Sequence, residues 1–487
     1  MPVSSFVSTS DIVRFLPEIL LTLMGTVLMV LDPLLHRRSS NAFGHVSLLS
    51  LVAALAASLY AYTDAGPAFG GMLMVDGFAT FFRVLVIGVG ILTILQSYRF
   101  LHRQDAETSE YHALLLYSIA GQCLMVSANE LIMIFLGLEI SSIASYILAG
   151  YLRDDKRANE SALKYFLLGS FATGFFLYGV ALIYGSTGTV NLTLVRAALI
   201  GPNAPSPVLA GVAAALMFVG LGFKVSASPF QIWAPDVYQG APTPVTAFLS
   251  AGPKAAAFAV FFRIFMIAFQ PIGNGWEPLV WVSALLSMTI GNFAALMQAN
   301  VKRLLAYSSI AHAGYVMVAL TARSDVGTAA AMFYLAAYAL MNVGAFAVVS
   351  HLSGKGEQYQ NVDDFSGLGQ KQPLTAAMLS IFLLSLIGVP LTGGFFGKFY
   401  IFKAALESHL VWLTVLGLLN SAVAAYYYLR ILVAMYMHEP SEAATTAEPL
   451  SPGLGAALIL PALGTLVLGI FPSWLLDFAG RSSSLVK

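Results

Sequence analysis

The sequence predicts an all-α, polytopic membrane protein of about fourteen transmembrane helices. Three observations predict it. Of 487 residues, 58% are apolar and 10% charged, against roughly 25% charged in an ordinary soluble domain; mean hydropathy is +0.80. Apolar runs of about twenty residues, each long enough to cross a bilayer as a helix, recur along the whole chain. The Lys and Arg residues between those runs fall on alternate loops. A soluble globule of this length needs more charge to cover its surface, so soluble enzymes, disordered chains and nucleic-acid binders are excluded. With 24 basic and 24 acidic residues, net charge says nothing about partners.

The first apolar core, 15–35, follows Asp11 and Arg14 rather than a basic leader, and runs into His36-Arg37-Arg38 rather than a small-residue cleavage site. It reads as a retained helix, not a signal peptide, entering with its N-terminus outside. Cores at 44–62 and 78–98 follow, then two tightly joined ones at 112–127 and 131–151, then 161–184. The stretch from Pro207 to Tyr238 stays mostly apolar for about 48 Å of helix, too long for one straight crossing of a roughly 30 Å core. Ser226-Ala227-Ser228-Pro229 interrupts it after the core at 207–228. Cores at 244–268, 279–298, 303–321 and 327–351 are uninterrupted in length. The run 374–408, about 52 Å if straight, is interrupted by Gly388, Pro390, Gly393, Gly394 and Gly397. Cores at 411–436 and 454–476 complete the set. Proline removes a backbone donor, and freed backbone groups are tolerated at membrane depth only against protein or water. Two helices broken at Pro229 and Pro390 point to a transporter built from repeats.

One set of alternate loops carries Arg37, Arg38, Arg99, Arg103, Arg153, Lys156, Arg157, Lys302, Arg303, Lys355 and Lys371; the other carries Arg196 and Arg323. The first set therefore faces the cytoplasm or its equivalent, and both termini lie outside. The two long polar insertions, 352–372 and 437–453, fall inside.

Charge at membrane depth costs about 2.5–3.5 kcal/mol per group on insertion scales, unless a long side chain snorkels. Glu139 is roughly 13 Å from the nearer end of its helix and too short to snorkel; Lys254 is roughly 15 Å deep. Lys224 precedes the first break and Lys398 follows the second, so both are near mid-depth if the helices break inside the membrane. Lys164 lies closer to a helix end, where snorkelling is an alternative to a functional role. His312 sits about nine residues into its span, either a core histidine or a relay. Arg83, Arg263, Lys403 and Arg430 lie toward helix ends as anchors or pair partners. Burial favours a neutral amine and a nearby carboxylate favours the ammonium, so a Glu–Lys pair that opens and closes changes a lysine's hold on its proton. Ser226, Ser228, Thr246, Ser308, Ser309, Tyr338 and Asn342 are candidates for holding connecting water. No convergent carboxylates suggest a Na⁺ cage, although unwound carbonyls at the breaks leave Na⁺ open. One cysteine, Cys123, permits neither a disulfide nor a Cys-ligated cluster, and neither HExxH nor GxGxxG occurs. No cofactor or metal site is expected in this chain.

The run FKVSASPFQIWAPDVYQGAPTPVTAFLSAGPKAAAFAVFFR (223–263), with KRLLAYSSIAHAGYVMVAL (302–320) and GVPLTGGFFGKFYIF (388–402), resembles the proton-translocating antiporter-like subunits of respiratory complex I. The resemblance extends over about 75–474. Within that family the 130–189 stretch, the lysine at 398 and the short C-terminal tail are similar to the subunit N branch, homologous to mitochondrial subunit 2. The resemblance implies two inverted five-helix repeats, each with a broken helix, in a single membrane domain 1–487: N-terminal helices 1–110, repeats 111–270 and 278–437, and a C-terminal loop and last helix 438–487. It implies that Glu139 and Lys224 form a switching pair, that Lys164 modulates it, that Lys254 connects, that Lys398 exchanges protons with one side, and that His312 belongs to the central polar axis. NADH, FMN, iron–sulfur clusters and quinone would then belong to partner subunits, with other membrane-arm subunits linking this chain to a hydrophilic redox arm. The membrane would be a bacterial inner (plasma) membrane, an organellar one staying open. One departure from repeat symmetry is visible: Lys224 lies five residues before Pro229, Lys398 eight after Pro390. The competing readings are a subunit of a multi-subunit Na⁺/H⁺ antiporter without redox partners, and a scaffold whose buried charges do nothing.

Overall fold

A computed structural model describes residues 7–35, 41–202 and 204–485; Arg37 and Arg38 of the loop-charge pattern lie outside the described residues. Each predicted core coincides with a helix or a helix pair. In chain order these are α1 (Leu16–Leu35), α2 (Asn41–Thr63), α3 (Gly77–Arg103), α4 (Ser109–Ser127), α5 (Leu131–Ala149), α6 (Lys156–Thr187), α7a (Pro207–Val225) with α7b (Trp233–Gly240), α8 (Thr243–Arg263), α9 (Gly273–Leu296), α10 (Val301–Thr321), α11 (Asp325–Leu352), α12a (Pro373–Ile387) with α12b (Gly393–Glu407), α13 (Val411–Met437) and α14 (Pro452–Ile470). Among the described residues eleven helices are long and apolar enough to cross a membrane on their own. The chain is a multi-pass membrane protein.

The helices α4–α8 and α9–α13 pack in the same way. In each set the first helix packs on the second and the fifth, and the third packs on both halves of the broken fourth. Five is odd, so the second set enters from the opposite face and the repeats are inverted. The apolar window of α8 is 100% buried, and those of α10 and α11 are 94% and 89% buried. These three form the centre, whereas α6 presents Phe166, Phe171 and Tyr178 outward, as a lipid-facing helix does.

The interruptions end their helices through identifiable groups. Ser226 takes a left-handed conformation (φ 60°) and closes α7a with its N–H on Gly222 and Phe223 carbonyls. Proline at 229 has no donor to continue the ladder. The exposed backbone is met by α9: Ser228 N–H donates to Ser287 Oγ at 2.8 Å, and Ser283 Oγ donates to the Ser228 carbonyl. Gly388 (φ 95°) closes α12a, and Gly394 N–H donates to Ser385 Oγ at 3.0 Å. Gly394 is required by close approach, since a Cβ there would stand 1.9 Å from the Ser385 carbonyl oxygen.

The loop basic residues gather on one face. Lys355 pairs with Asp105 at 2.7 Å, Arg157 donates to the Gly356 carbonyl at 3.0 Å, Arg103 to the Ser350 carbonyl at 2.7 Å, and Arg99 pairs with Glu448. Asp105 is held below the ordinary carboxylate range by the Lys355 hydrogen bond and charge. On the other face Arg323 pairs with Glu277 at 3.0 Å. Some features depart from the predicted elements. Residues Gly66–Ala68 and Leu73–Val75 pair as a small antiparallel hairpin. A short helix, Leu192–Ile200, precedes α7a, capped by Asn191. The last core is split: Phe471 (φ −123°, ψ 60°) ends α14, and Pro472 opens a separate helix, Pro472–Ser482, as proline favours at a first helical position.

Candidate functional site

Lys224 occupies the last turn of α7a, and burial there is nearly complete at 5% exposure. Its Nζ donates to Ser142 Oγ on α5 at 2.7 Å and to Tyr165 OH on α6 at 3.2 Å. The tyrosines at 146 and 165 stand beside the ammonium, ring centroids 5.7 and 5.3 Å away. Glu139 lies one turn before Ser142 on α5, half-buried. It is close enough for its charge to act on Lys224, yet no ion pair within 4.0 Å joins the two. Glu139 is thus on the helix that holds Lys224 but not in contact with it, and a hydroxyl rather than the carboxylate lies against the ammonium.

Lys254 is eleven residues into α8, roughly 16 Å from its start. Its Nζ donates to the Ser309 carbonyl at 3.2 Å and to Ser309 Oγ on α10, and lies 6.0 Å from the Tyr238 ring centre. One turn along α10 from Ser309, His312 is held from both sides. Nδ1 is 2.5 Å from Tyr334 OH, and Nε2 is 3.2 Å from Tyr428 OH, which also bonds Ser308. His312 is in electrostatic reach of both Lys254 and Lys398. Lys398, on α12b, reaches back across the break: its Nζ donates to the Leu386 and Ile387 carbonyls at 2.9 Å each and to Ser421 Oγ at 2.8 Å. These carbonyls are the ones a terminating helix leaves without partners, and a cation belongs at that end of the dipole. Tyr315 lies beneath the ammonium at 4.9 Å.

These four groups form one buried polar row. From Lys224 it runs through Tyr165 to Trp233, whose rings stack at 4.5 Å and 7°, then through Tyr238 to Lys254, Ser309, His312, Tyr315 and Lys398. The Ser226 and Ser228 hydroxyls and the Asn342 carbonyl oxygen are buried without a partner among the described residues, so they retain hydrogen-bonding capacity for water. Thr246, by contrast, is committed to backbone carbonyls. Lys164 is not brought to this row. It pairs with Asp236 and Glu160, both at 2.7 Å, and remains 40% exposed.

Several charged partners escaped sequence reasoning. Asp236 binds Lys164 and also Arg303, the latter at 2.6 Å. Glu18 pairs with Arg83 at 2.6 Å with both side chains buried. Asp76 pairs with Arg263 at 2.8 Å and Glu357 with Lys302 at 3.2 Å. Arg430 is bound to the Leu296 and Gln298 carbonyls, and Lys403 stays half-exposed beside Glu407. Among the described residues no three His, Cys, Asp or Glu side chains converge as metal ligands.

A profile of the NADH:quinone oxidoreductase/Mrp antiporter transmembrane family matches residues 128–424. That description spans both competing readings. Full-length similarity separates them: a curated NADH-quinone oxidoreductase subunit N 1 from Solibacter usitatus is 76% identical over 487 residues, covering 100% of both chains. The chain belongs to the NADH-quinone oxidoreductase subunit N family. A second relative of that name, subunit N 2 from Koribacter versatilis, is 51% identical over 486 residues and 98% of each chain. A chain in the structure of respiratory complex I from Thermus thermophilus superposes with a TM-score of 0.82 at 36% identity, covering 95% of this chain and 99% of that one. The subunit N assignment favours the complex I reading over the antiporter reading, and the matched region contains Glu139, Lys164, Lys224, Lys254, His312 and Lys398.

Proposed function

We propose that this chain is the proton-moving part of a membrane-arm subunit of NADH:quinone oxidoreductase, and that protons cross it along the buried row from Lys224 to Lys398. The observation that carries this reading is the setting of three lysines at membrane depth, each held by hydroxyls or carbonyls and, among the described residues, none by a carboxylate in contact. A proton can leave a lysine so placed without a contact ion pair having to be broken. Glu139 is the adjustable element. Moved against Lys224 it favours the ammonium; withdrawn, it releases the proton toward Lys254. In this scheme Lys254 and His312 pass the proton on, Lys398 exchanges it with one side, and Lys164 modulates the loading pair from the basic face. The repeats run over 111–270 and 278–437, between N-terminal helices 1–110 and a C-terminal part 438–487.

Driving this exchange takes energy from outside the chain, since a proton moved against 100 mV costs about 2.3 kcal/mol. FMN, iron–sulfur clusters and quinone are assigned to partner subunits. Glu139 offers the route for the signal. It stands on a face of α5 whose neighbours Leu136, Ile140 and Ile143 are exposed, and a carboxylate facing lipid at that depth costs about 3 kcal/mol. An adjacent membrane subunit covering this face removes that cost. The basic face is assigned to the cytoplasm of a bacterial inner membrane, with both termini outside.

The test is co-migration. A tagged chain extracted from native membranes in mild detergent is expected to carry with it NADH-oxidising protein containing FMN and iron–sulfur centres. Recovery only with other polytopic subunits lacking redox centres would overturn the assignment in favour of an antiporter.

A further inference from the structure

Asp236 is the acidic group that the sequence left unassigned and that the fold places between the repeats. It sits on the short helix α7b, and its two carboxylate oxygens are divided between them. Oδ2 is 2.7 Å from Lys164 Nζ on α6, in the first repeat; Oδ1 is 2.6 Å from Arg303 Nη1 on α10, in the second. The same guanidinium reaches Gln239 Oε1 at 3.1 Å. The group lies in a cleft of about 200 Å³ and is about one-third exposed. Backbone contact fixes the helix here: a Cβ on Gly240 would stand 2.5 Å from the Arg157 carbonyl oxygen, and Ser161 Oγ donates to the Val237 carbonyl at 3.1 Å.

One partner of Asp236 is next in sequence to a residue of the proton row, and the other shares a helix with one. Lys164 precedes Tyr165, whose hydroxyl holds Lys224. Arg303 lies on the same helix as Ser309, which holds Lys254. Three residues before Asp236, Trp233 stacks on Tyr165 and donates its indole N–H to the Phe223 carbonyl at 2.9 Å, the residue before Lys224. The short helix is therefore attached to the loading lysine at one end and to both repeats at the other.

We infer that Asp236 is a positioning residue that couples the cages of Lys224 and Lys254 by tethering α7b to α6 and α10 at once. This rests on the reading that Lys224 and Lys254 carry protons. Losing the carboxylate's charge removes both side-chain tethers while the Gly240 end stays held by backbone contact, so the Trp233 end of α7b shifts on Tyr165 and changes the hydrogen bonding of Lys224 without touching the lysine. The charged groups facing Asp236 are Arg157, Glu160 and Lys164 from α6 and Arg303 from α10; Lys302 donates to the nearby Ala241 carbonyl.

The test uses the whole complex in native membrane vesicles, with assembly checked by native gel and NADH–ferricyanide activity. Asp236→Asn is expected to lower NADH-driven proton pumping at least fivefold and to change the shape of its pH profile. Asp236→Glu is expected to restore at least half of the pumping, and Lys164→Gln combined with Asp236→Asn to be no worse than Asp236→Asn alone. Should Asp236→Asn not assemble, Arg303→Gln and Lys164→Gln each remove one arm of the tether and must each alter the pH profile. Wild-type pumping and pH profile in the assembled Asp236→Asn complex, or in both single-arm variants, would overturn the inference, as would additive losses in the double variant. Lys224→Ala run alongside separates the two ideas: if it abolishes pumping while Asp236→Asn pumps as the wild type does, only the positioning role fails.

Discussion

Lys224 donates its 2.7 Å hydrogen bond to Ser142, one helical turn along α5 from Glu139. The serine thus occupies the place against the ammonium that a carboxylate holds in a closed ion pair. A hydrogen bond to a charged group is worth about 1.5–3 kcal/mol. Ser142→Ala should therefore shift the Lys224 protonation balance by about tenfold or more and reduce pumping several-fold, less than Lys224→Ala does. Proton uptake by vesicles at matched complex content checks this.

The lysine of the second break is held differently from the lysine inside α8. Lys398 satisfies the Leu386 and Ile387 carbonyls as well as Ser421, whereas among the described residues Lys254 bonds only Ser309. Buried groups left unsatisfied cost about 1–3 kcal/mol each. Lys398→Met should lower the thermal stability of the extracted complex more than Lys254→Met, while both lose pumping. Equal melting temperatures for the two variants would contradict the capping role.

At the same break, Gly394 abuts the Ser385 carbonyl. Gly394→Ala must push α12b away from α12a and displace Lys398 with it. The expected result is loss of assembled complex on a native gel. Gly185→Ala, where a Cβ meets nothing, should assemble normally.

The Glu18–Arg83 pair lies apart from the proton row, among α1, α3 and α4. Breaking a buried pair from one side costs about 3–5 kcal/mol, while replacing both partners by apolar groups is often neutral. Arg83→Met should be strongly destabilising, and Arg83→Met with Glu18→Leu should recover most of the loss, with pumping retained. Thermal unfolding and proton uptake on the same preparations check both halves.

Outside the membrane, the Asp105 carboxylate is lowered from its ordinary 3.8 by Lys355. A depressed carboxylate contributes stability that is full above its unfolded value and disappears as pH falls through the folded one. The contact between the 104–106 loop and 353–357 should therefore be unchanged from pH 8 to about 5 and loosen only below about 4. Limited proteolysis of that loop across pH reads this directly, and Asp105→Asn should loosen it at all pH values.

Much of the site was legible because membrane depth makes charge conspicuous. Glu139, Lys224, Lys254 and Lys398 stand out in apolar runs, where a charged residue calls for pairing, hydrogen bonding, a reach to the interface or a function. Asp236, Glu18 and Glu357 did not stand out, since each lies near a helix end or in a loop, where an acidic residue looks like an ordinary interfacial one. Their partners are distant in sequence: Asp236 is 72 residues from Lys164 and 67 from Arg303. Ser142 was equally silent, because a serine in a helix usually bonds its own backbone, as this one also does through the Leu138 carbonyl. Hydropathy likewise located the helices but not the 66–75 hairpin, whose strands of three residues are too short to show alternation. The division at Phe471–Pro472 was hidden inside a continuous apolar run.

The most direct test of the account is proton pumping by the assembled complex carrying Lys224→Ala. Vesicles are energised with NADH, and proton uptake is measured per NADH oxidised. The account predicts that the complex assembles and that uptake per NADH falls more than fivefold from the wild-type value. Wild-type uptake per NADH in the fully assembled variant would contradict it, because Lys224 would then not be on the path.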